Sequence, residues 1–230
     1  MENAMKATAL VISADIRDDQ LIPMAIGSGA IVHSNGSILV NTHQLFKSNG
    51  KPYDVFLVGQ FVGAAREPLL RCAGRAIDSK AMNGLDLSLV RCEFDLDGAP
   101  FEPRDWSRFS MTQDEPVIGE NLQVLGYPNI GGNRMRVTEG VVTKTPNGVG
   151  TYLETNASIT HGNSGGAAIN TKGELVGIPS AFQLATHTSS SAVKKSSLII
   201  PVQQALPFLG KYRASPGARP NTEPRTNSMP

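Results

Sequence analysis

Thr160-His161-Gly162-Asn163-Ser164-Gly165-Gly166 sets one serine between glycines on both sides. Glycine reaches backbone conformations closed to other residues, so the run reads as a tight turn that presents the Ser164 hydroxyl among converging backbone N–H groups. Alone, it is a glycine-rich loop. Its meaning depends on whether a base and an acid accompany Ser164.

Upstream, Gly27-Ser28-Gly29-Ala30-Ile31-Val32-His33-Ser34-Asn35-Gly36-Ser37-Ile38-Leu39 reads as a hairpin that leads through Val40-Asn41-Thr42 to His43. Leu85-Asp86-Leu87-Ser88-Leu89-Val90 alternates with a period of two, which predicts a half-buried strand. A carboxylate among those leucines must find a partner or bear a desolvation cost. His43, Asp86 and Ser164 thus occur in one of the chain orders in which a histidine, an aspartate and a serine perform nucleophilic catalysis. The set says more than its members. Taken singly, Asp86 reads as a buried acid capping a turn, although Asp78 suits that role better, and His43 as an ordinary strand-end histidine. His33 and His187 read as surface or loop residues, the seven methionines as core filler. Gly27-Ser28-Gly29 lacks the helix start of a dinucleotide fingerprint and reads as tight strand packing.

The wording of these three segments resembles the HtrA/Deg branch of the trypsin-like serine proteases. There a Gly-Ser-Gly strand precedes the histidine and Gly-Asn-Ser-Gly-Gly surrounds the nucleophile. The resemblance continues through Gly119-Glu120-Asn121-Leu122-Gln123-Val124-Leu125-Gly126-Tyr127-Pro128, Val137-Thr138-Glu139-Gly140-Val141-Val142 and Gly173-Glu174-Leu175-Val176-Gly177-Ile178, and covers roughly residues 25–205. The chain departs from the family pattern at Gln44-Leu45, where a histidine-valine pair is usual, and at Pro179, in the strand expected to line the cleft.

Short runs rich in Val, Ile, Leu and Phe, at Thr8–Ile16, Ala25–His33, Ser37–Asn41, Val55–Val62 and Leu69–Ile77, alternate with turn residues and predict an all-β sandwich or barrel. The resemblance narrows this to two packed six-stranded antiparallel β-barrels with a short C-terminal helix. The protease domain is expected over residues 1–212, with a first barrel over about 1–100 and a second over about 117–200. The segment from Glu93 to Pro116 reads as the connection between them. Pro201 suits a first helical turn, so a closing helix is expected over residues 201–206, disturbed by Pro207. Residues 213–230 are polar and proline-rich and read as a disordered tail, with no room for a PDZ domain.

A net charge of +1 gives no electrostatic footprint that favours nucleic acid or a membrane surface. The residues after Met1 read as a short strand-like stretch without the apolar region or cleavage site of a signal peptide, and no run approaches the ~20 apolar residues of a membrane span. A cytoplasmic chain is expected. There core thiols are the favoured reading of Cys72 and Cys92, with a disulfide left open. Two cysteines and scattered histidines make no zinc set, and no metal or other cofactor is expected.

The resemblance implies a serine endopeptidase acting on protein or peptide substrates. His43 would be the general base, Asp86 would fix its tautomer, and Ser164 would attack. Gly162, Asn163 and Ser164 would form the oxyanion turn, with the Gly162 and Ser164 amides as donors. Asn163 replaces the aspartate that pairs with a new amino terminus in trypsin, which points away from zymogen cleavage and towards control by loop ordering. Ser158, six residues before the nucleophile, stands where trypsin has aspartate, so basic side chains would find no counter-charge. Ile159 and Ser180-Ala181-Phe182 would narrow the pocket towards small or aliphatic residues, and Ser180 to Phe182 would pair with substrate backbone. His161 would border the cleft. Family members often form trimers, which leaves an oligomer open without assigning its surface.

Two other readings compete. Gly162-Asn163-Ser164-Gly165-Gly166 also satisfies the nucleophile elbow of α/β-hydrolases, but there the acid and histidine follow the serine. No aspartate follows Ser164, and Glu174 and Glu223 are poorly placed. The second alternative is a catalytically silent trypsin-fold binding or scaffold protein, against which the intact His43, Asp86 and Ser164 set argues.

Overall fold

The computed structural model describes residues 1–78, 85–104, 106–128, 133–147, 152–180 and 197–213. Two closed six-stranded antiparallel barrels make up the fold. The first contains β1 (Thr8–Arg17), β2 (Gln20–Ile31), β3 (Ser37–Val40), β4 (Val55–Gln60), β5 (Leu69–Asp78) and β6 (Ser88–Asp95), ordered β1-β2-β3-β6-β5-β4, with β4 closing onto β1. Asp18 and Asp19 both adopt positive φ between paired Arg17 and Gln20. This two-residue turn matches the twist of the hairpin, and aspartate tolerates that backbone region better than most side chains.

Period-two alternation sorts β1 between two cores. Ala9 and Val11 point into the first barrel with Ile38, Val58 and Val90. Leu10 and Ile12 point outward, yet they are buried too, because Tyr127 of the second barrel and Leu57 cover them. Burial pushes the Tyr127 phenol far above its ordinary pKa, so it stays protonated, with its hydroxyl directed at the Thr8 carbonyl at 3.4 Å.

The second barrel contains β7 (Asn121–Gly126), β8 (Arg136–Lys144), β9 (Leu153–Thr155), β10 (Ala167–Ile169), β11 (Leu175–Ser180) and β12 (Ser197–Pro201), ordered β10-β11-β12-β9-β8-β7, with β7 closing onto β10. The segment between β6 and β7 ties the barrels together. Trp106 enters the first-barrel core edge-on to Phe101, Phe109 donates its N–H to Ile31, and Leu175 exchanges backbone bonds with Ser110 and Thr112. Between the barrels, Leu39, Leu87 and Leu89 from the first pack with Leu125, Leu175 and Ile178 from the second in one apolar cluster.

Several local expectations need revision. The amino terminus is not strand-like: α1 spans Glu2–Ala7, with Ala4 and Ala7 buried on the inter-barrel cluster and Glu2 paired to Lys6 at 2.8 Å. The strand after Asp86 begins at Ser88, so Asp86 precedes it on a three-residue turn closed by Leu87 N–H to the Leu85 carbonyl at 2.9 Å. Pro201 ends β12 and does not open the helix. The closing helix, α2, spans Val202–Arg213 and runs through Pro207, which removes one helical donor. Val202, Ala205 and Leu209, buried at helical spacing on the inter-barrel cluster, hold the helix in place despite that loss. Of the expected tail over residues 213–230, Arg213 ends α2 and residues 214–230 lie outside the described residues. No described helix is long and apolar enough to cross a membrane.

Cys72 and Cys92 form a disulfide with Cα atoms 5.8 Å apart, not the free thiols expected of a cytoplasmic chain. Strand register decides this. Cys92 pairs with Gly74, which lies two residues along the same strand from Cys72, so the two cysteines sit diagonally across β5 and β6. Closing a 20-residue separation constrains the unfolded chain by about 3 kcal/mol. Reduction is therefore expected to lower Tm by roughly 6–12 °C in circular dichroism. Thiol titration of the unreduced protein should find none free; two reactive thiols without reductant would contradict the assignment.

Candidate active site

β3 ends at Val40, and from Asn41 the chain enters one 3-10 turn, Thr42–Gln44, that carries His43. Asp86 meets this turn twice. Its Oδ1 accepts the His43 backbone N–H at 2.9 Å, and its Oδ2 lies 2.6 Å from His43 Nδ1. A carboxylate only accepts, so Nδ1 carries a proton and Nε2 of the neutral ring is left as an acceptor. The Asn41 carboxamide holds the acid from behind by donating to the Asp86 carbonyl at 2.9 Å. From the second barrel, the Ser180 hydroxyl approaches Oδ2 at 3.4 Å. The His43 side chain is 37% exposed and that of Asp86 is 16% exposed, so the ring is open while the acid behind it is shielded. Tyr152 also approaches this acid: burial first, and then the negative charge of Asp86, pushes its phenol above the usual range.

Ser164 lies in a double turn. Asn163 N–H donates to Thr160 and Gly166 N–H to Asn163, both at 3.0 Å, and Gly162 and Gly165 take φ of +95° and +80°. Gly165 has a second constraint: a Cβ there would strike the Ser28 carbonyl and the Gln44 carboxamide. Because the Asn163 amide is spent on the turn, its contribution is to shape it.

Side chains and amides from both barrels stitch this turn down. The Ser164 carbonyl accepts Ser28 N–H at 2.9 Å and Gln44 Nε2 at 2.6 Å, while Gly165 N–H donates to Pro179 at 2.9 Å. The Ser28 hydroxyl donates to the Gly162 carbonyl at 2.6 Å and accepts Tyr127 N–H at 2.8 Å. Pro179 fits because a strand residue's N–H and carbonyl point to the same side. Its missing N–H faces the Ser164 turn, and the ladder from β11 to β12 keeps its pairing.

The expected pocket residues scatter. Ser158 is exposed, and its carbonyl accepts the Thr138 hydroxyl at 2.8 Å. His161 is exposed beside the Ser164 turn. Ile159 is buried and packs in the second-barrel core with Val124 and Leu153. Ser180 is buried, with its hydroxyl on Asp86. Ala181 and Phe182 lie outside the described residues. Sequence reasoning missed Ser28, Asn41 and Gln44. Gly27-Ser28-Gly29 and the departure at Gln44 were the available signals.

The family model described as "Trypsin-like peptidase domain" matches residues 27–178. Serine endoprotease DegS of Salmonella typhimurium is 30% identical over 167 residues, covering 70% of this chain and 40% of the relative. Serine protease HTR4 of Rattus norvegicus is 33% identical over 169 residues, again 70% of this chain but 30% of the relative. The chain therefore spans well under half the length of these relatives. Among solved structures, the serine endoprotease from Yersinia pestis aligns with a TM-score of 0.65 and 25% identity, covering 91% of this chain and 64% of that one.

Replacing Ser28 by alanine would leave the buried Gly162 carbonyl and Tyr127 N–H without these partners. The expected cost is about 2 kcal/mol, or a Tm lower by roughly 4–8 °C. A Tm within about 1 °C of wild type would show that this bridge is not structural.

Proposed function

Because this chain belongs to the trypsin-like peptidase domain family, we propose that it hydrolyses peptide bonds as a serine endopeptidase of the HtrA/Deg kind, through an acyl-enzyme. The observation that carries this reading is the two-point contact of Asp86 with His43, 2.6 Å at the ring and 2.9 Å at the backbone. It fixes the tautomer a general base needs.

In the proposed reaction, His43 Nε2 takes the Ser164 hydroxyl proton as Oγ bonds to the scissile carbonyl carbon. The carbonyl electron pair becomes an oxyanion received by the Gly162 and Ser164 N–H groups, and Asp86 stabilises the imidazolium. As the oxyanion collapses, the C–N bond breaks and His43 returns its proton to the leaving amine. Water, deprotonated by His43, then attacks the ester carbon, and as the C–O bond to Ser164 breaks His43 returns the proton to Oγ and the acid leaves. The glycines fit this role, since the turn needs positive φ at positions 162 and 165.

Ser158 supports a preference for small or aliphatic residues before the cut, since nothing at that position would neutralise a buried lysine or arginine. Ile159 and the Ser180-Ala181-Phe182 segment remain the residues proposed to narrow the pocket beside Ser158. Asn163, in place of an aspartate, supports activity without cleavage of the amino terminus.

Purified, untrimmed protein is expected to hydrolyse an unstructured peptide, with kcat lowered by about 10⁶ in Ser164→Ala and about 10⁴ in Asp86→Asn. Hydrolysis retained in Ser164→Ala, or absent from folded wild type, sinks the proposal; the latter would favour a silent binding protein. A peptide series with Val, Ala, Lys or Phe before the cut separately tests specificity. Val and Ala should lead, and a clear lysine preference would overturn the role given to Ser158.

A further inference from the structure

We infer that Gln44 is a positioning residue for the nucleophile, clamping the Ser164 main chain to the turn that carries His43. This rests on the serine endopeptidase reading and goes beyond it, because Gln44 stands outside the His43, Asp86 and Ser164 set that carries that reading.

The geometry singles out the side chain. Gln44 Nε2 donates to the Ser164 carbonyl at 2.6 Å, across 120 residues of sequence and from the first barrel to the second. Ser28 N–H supplies the second bond to the same oxygen, so both lone pairs are used and the peptide plane following Ser164 is fixed. Fixing that plane sets the main-chain torsion from which the Ser164 side chain projects. Gln44 is also bonded directly to His43, so one residue constrains the base and the nucleophile together.

The surroundings are arranged for this carboxamide. A Cβ at Gly27 would strike its oxygen and a Cβ at Gly165 would strike its nitrogen, so two glycines clear the space it occupies. Its main chain is held at both ends: Gln44 N–H donates to Asn41 at 3.1 Å, and the Ser13 hydroxyl donates to the Gln44 carbonyl at 2.6 Å. Only 6% of the residue is exposed, and Oε1 has no hydrogen-bond partner among the described residues. An apolar side chain would fill this site without burying an unpartnered oxygen. What the carboxamide supplies, and an apolar residue of the same length cannot, is the donor to Ser164. The opposite amide orientation would set oxygen against oxygen, which fixes the assignment.

The test is Gln44→Met, which keeps length and volume and removes the donor. Fluorophosphonate labelling of the full chain yields two quantities: the fraction of sites that label and the rate constant per labelled site. A positioning role predicts a per-site rate lowered about tenfold, a similar fall in kcat on a cleaved peptide, an unchanged KM, and a nearly unchanged labelled fraction. A packing role moves the labelled fraction and Tm and leaves the per-site rate at the wild-type value, and that result overturns the inference. If Gln44→Met does not fold, Gln44→Leu gives the same readout, with no donor at this position. Failure of wild type to label defeats the endopeptidase reading and this inference together. Labelling of wild type and Gln44→Met at equal per-site rates defeats this inference alone.

Discussion

One carbonyl oxygen, that of Ser164, receives a hydrogen bond from Ser28 N–H and another from the Gln44 side chain, and the relation of the two barrels at the site turns on it. His43 and Asp86 belong to the first barrel, Ser164 and Ser180 to the second. Apolar packing between the barrels is non-directional and tolerates small slides. A proton transfer from serine to imidazole needs hydrogen-bond distance, which a slide of 1 Å would spoil. Directional bonds onto the Ser164 turn restrict that freedom, and Ser28 adds another through the Gly162 carbonyl.

This stitching explains why glycine recurs around the site. Gly165 needs its positive φ and also the absence of a Cβ against Ser28 and Gln44; Gly126 would drive a Cβ onto the Asn163 backbone. The turn is thus built from close main-chain approach. Small residues are required on the strands facing it as much as within it. The tolerance of Pro179 follows from the same geometry, since its lost donor faces the turn and spares the barrel ladder.

The parts legible in the sequence are those set by local pattern. Alternation marked β1 to β5, and glycine spacing marked the Ser164 turn. The relations that were not legible join distant residues. Nothing near Gln44 announces an acceptor 120 positions away, and the Cys72–Cys92 bond follows from the pairing of Cys92 with Gly74, which composition does not contain. Ile159 packs with Val124 and Leu153, partners far from it in sequence that its own neighbourhood does not announce. α2 extends past Pro207 because a buried stripe outweighs one lost helical bond, a balance that proline position alone does not reveal.

The central claim is that Ser164 is a nucleophile activated by His43 and Asp86. Peptide mass mapping after reaction with a fluorophosphonate tests it most directly. The account predicts a single stoichiometric adduct on the peptide containing Ser164, slowed strongly in Asp86→Asn and absent in Ser164→Ala. Folded wild-type protein that carries no adduct, or carries it on another residue, contradicts it.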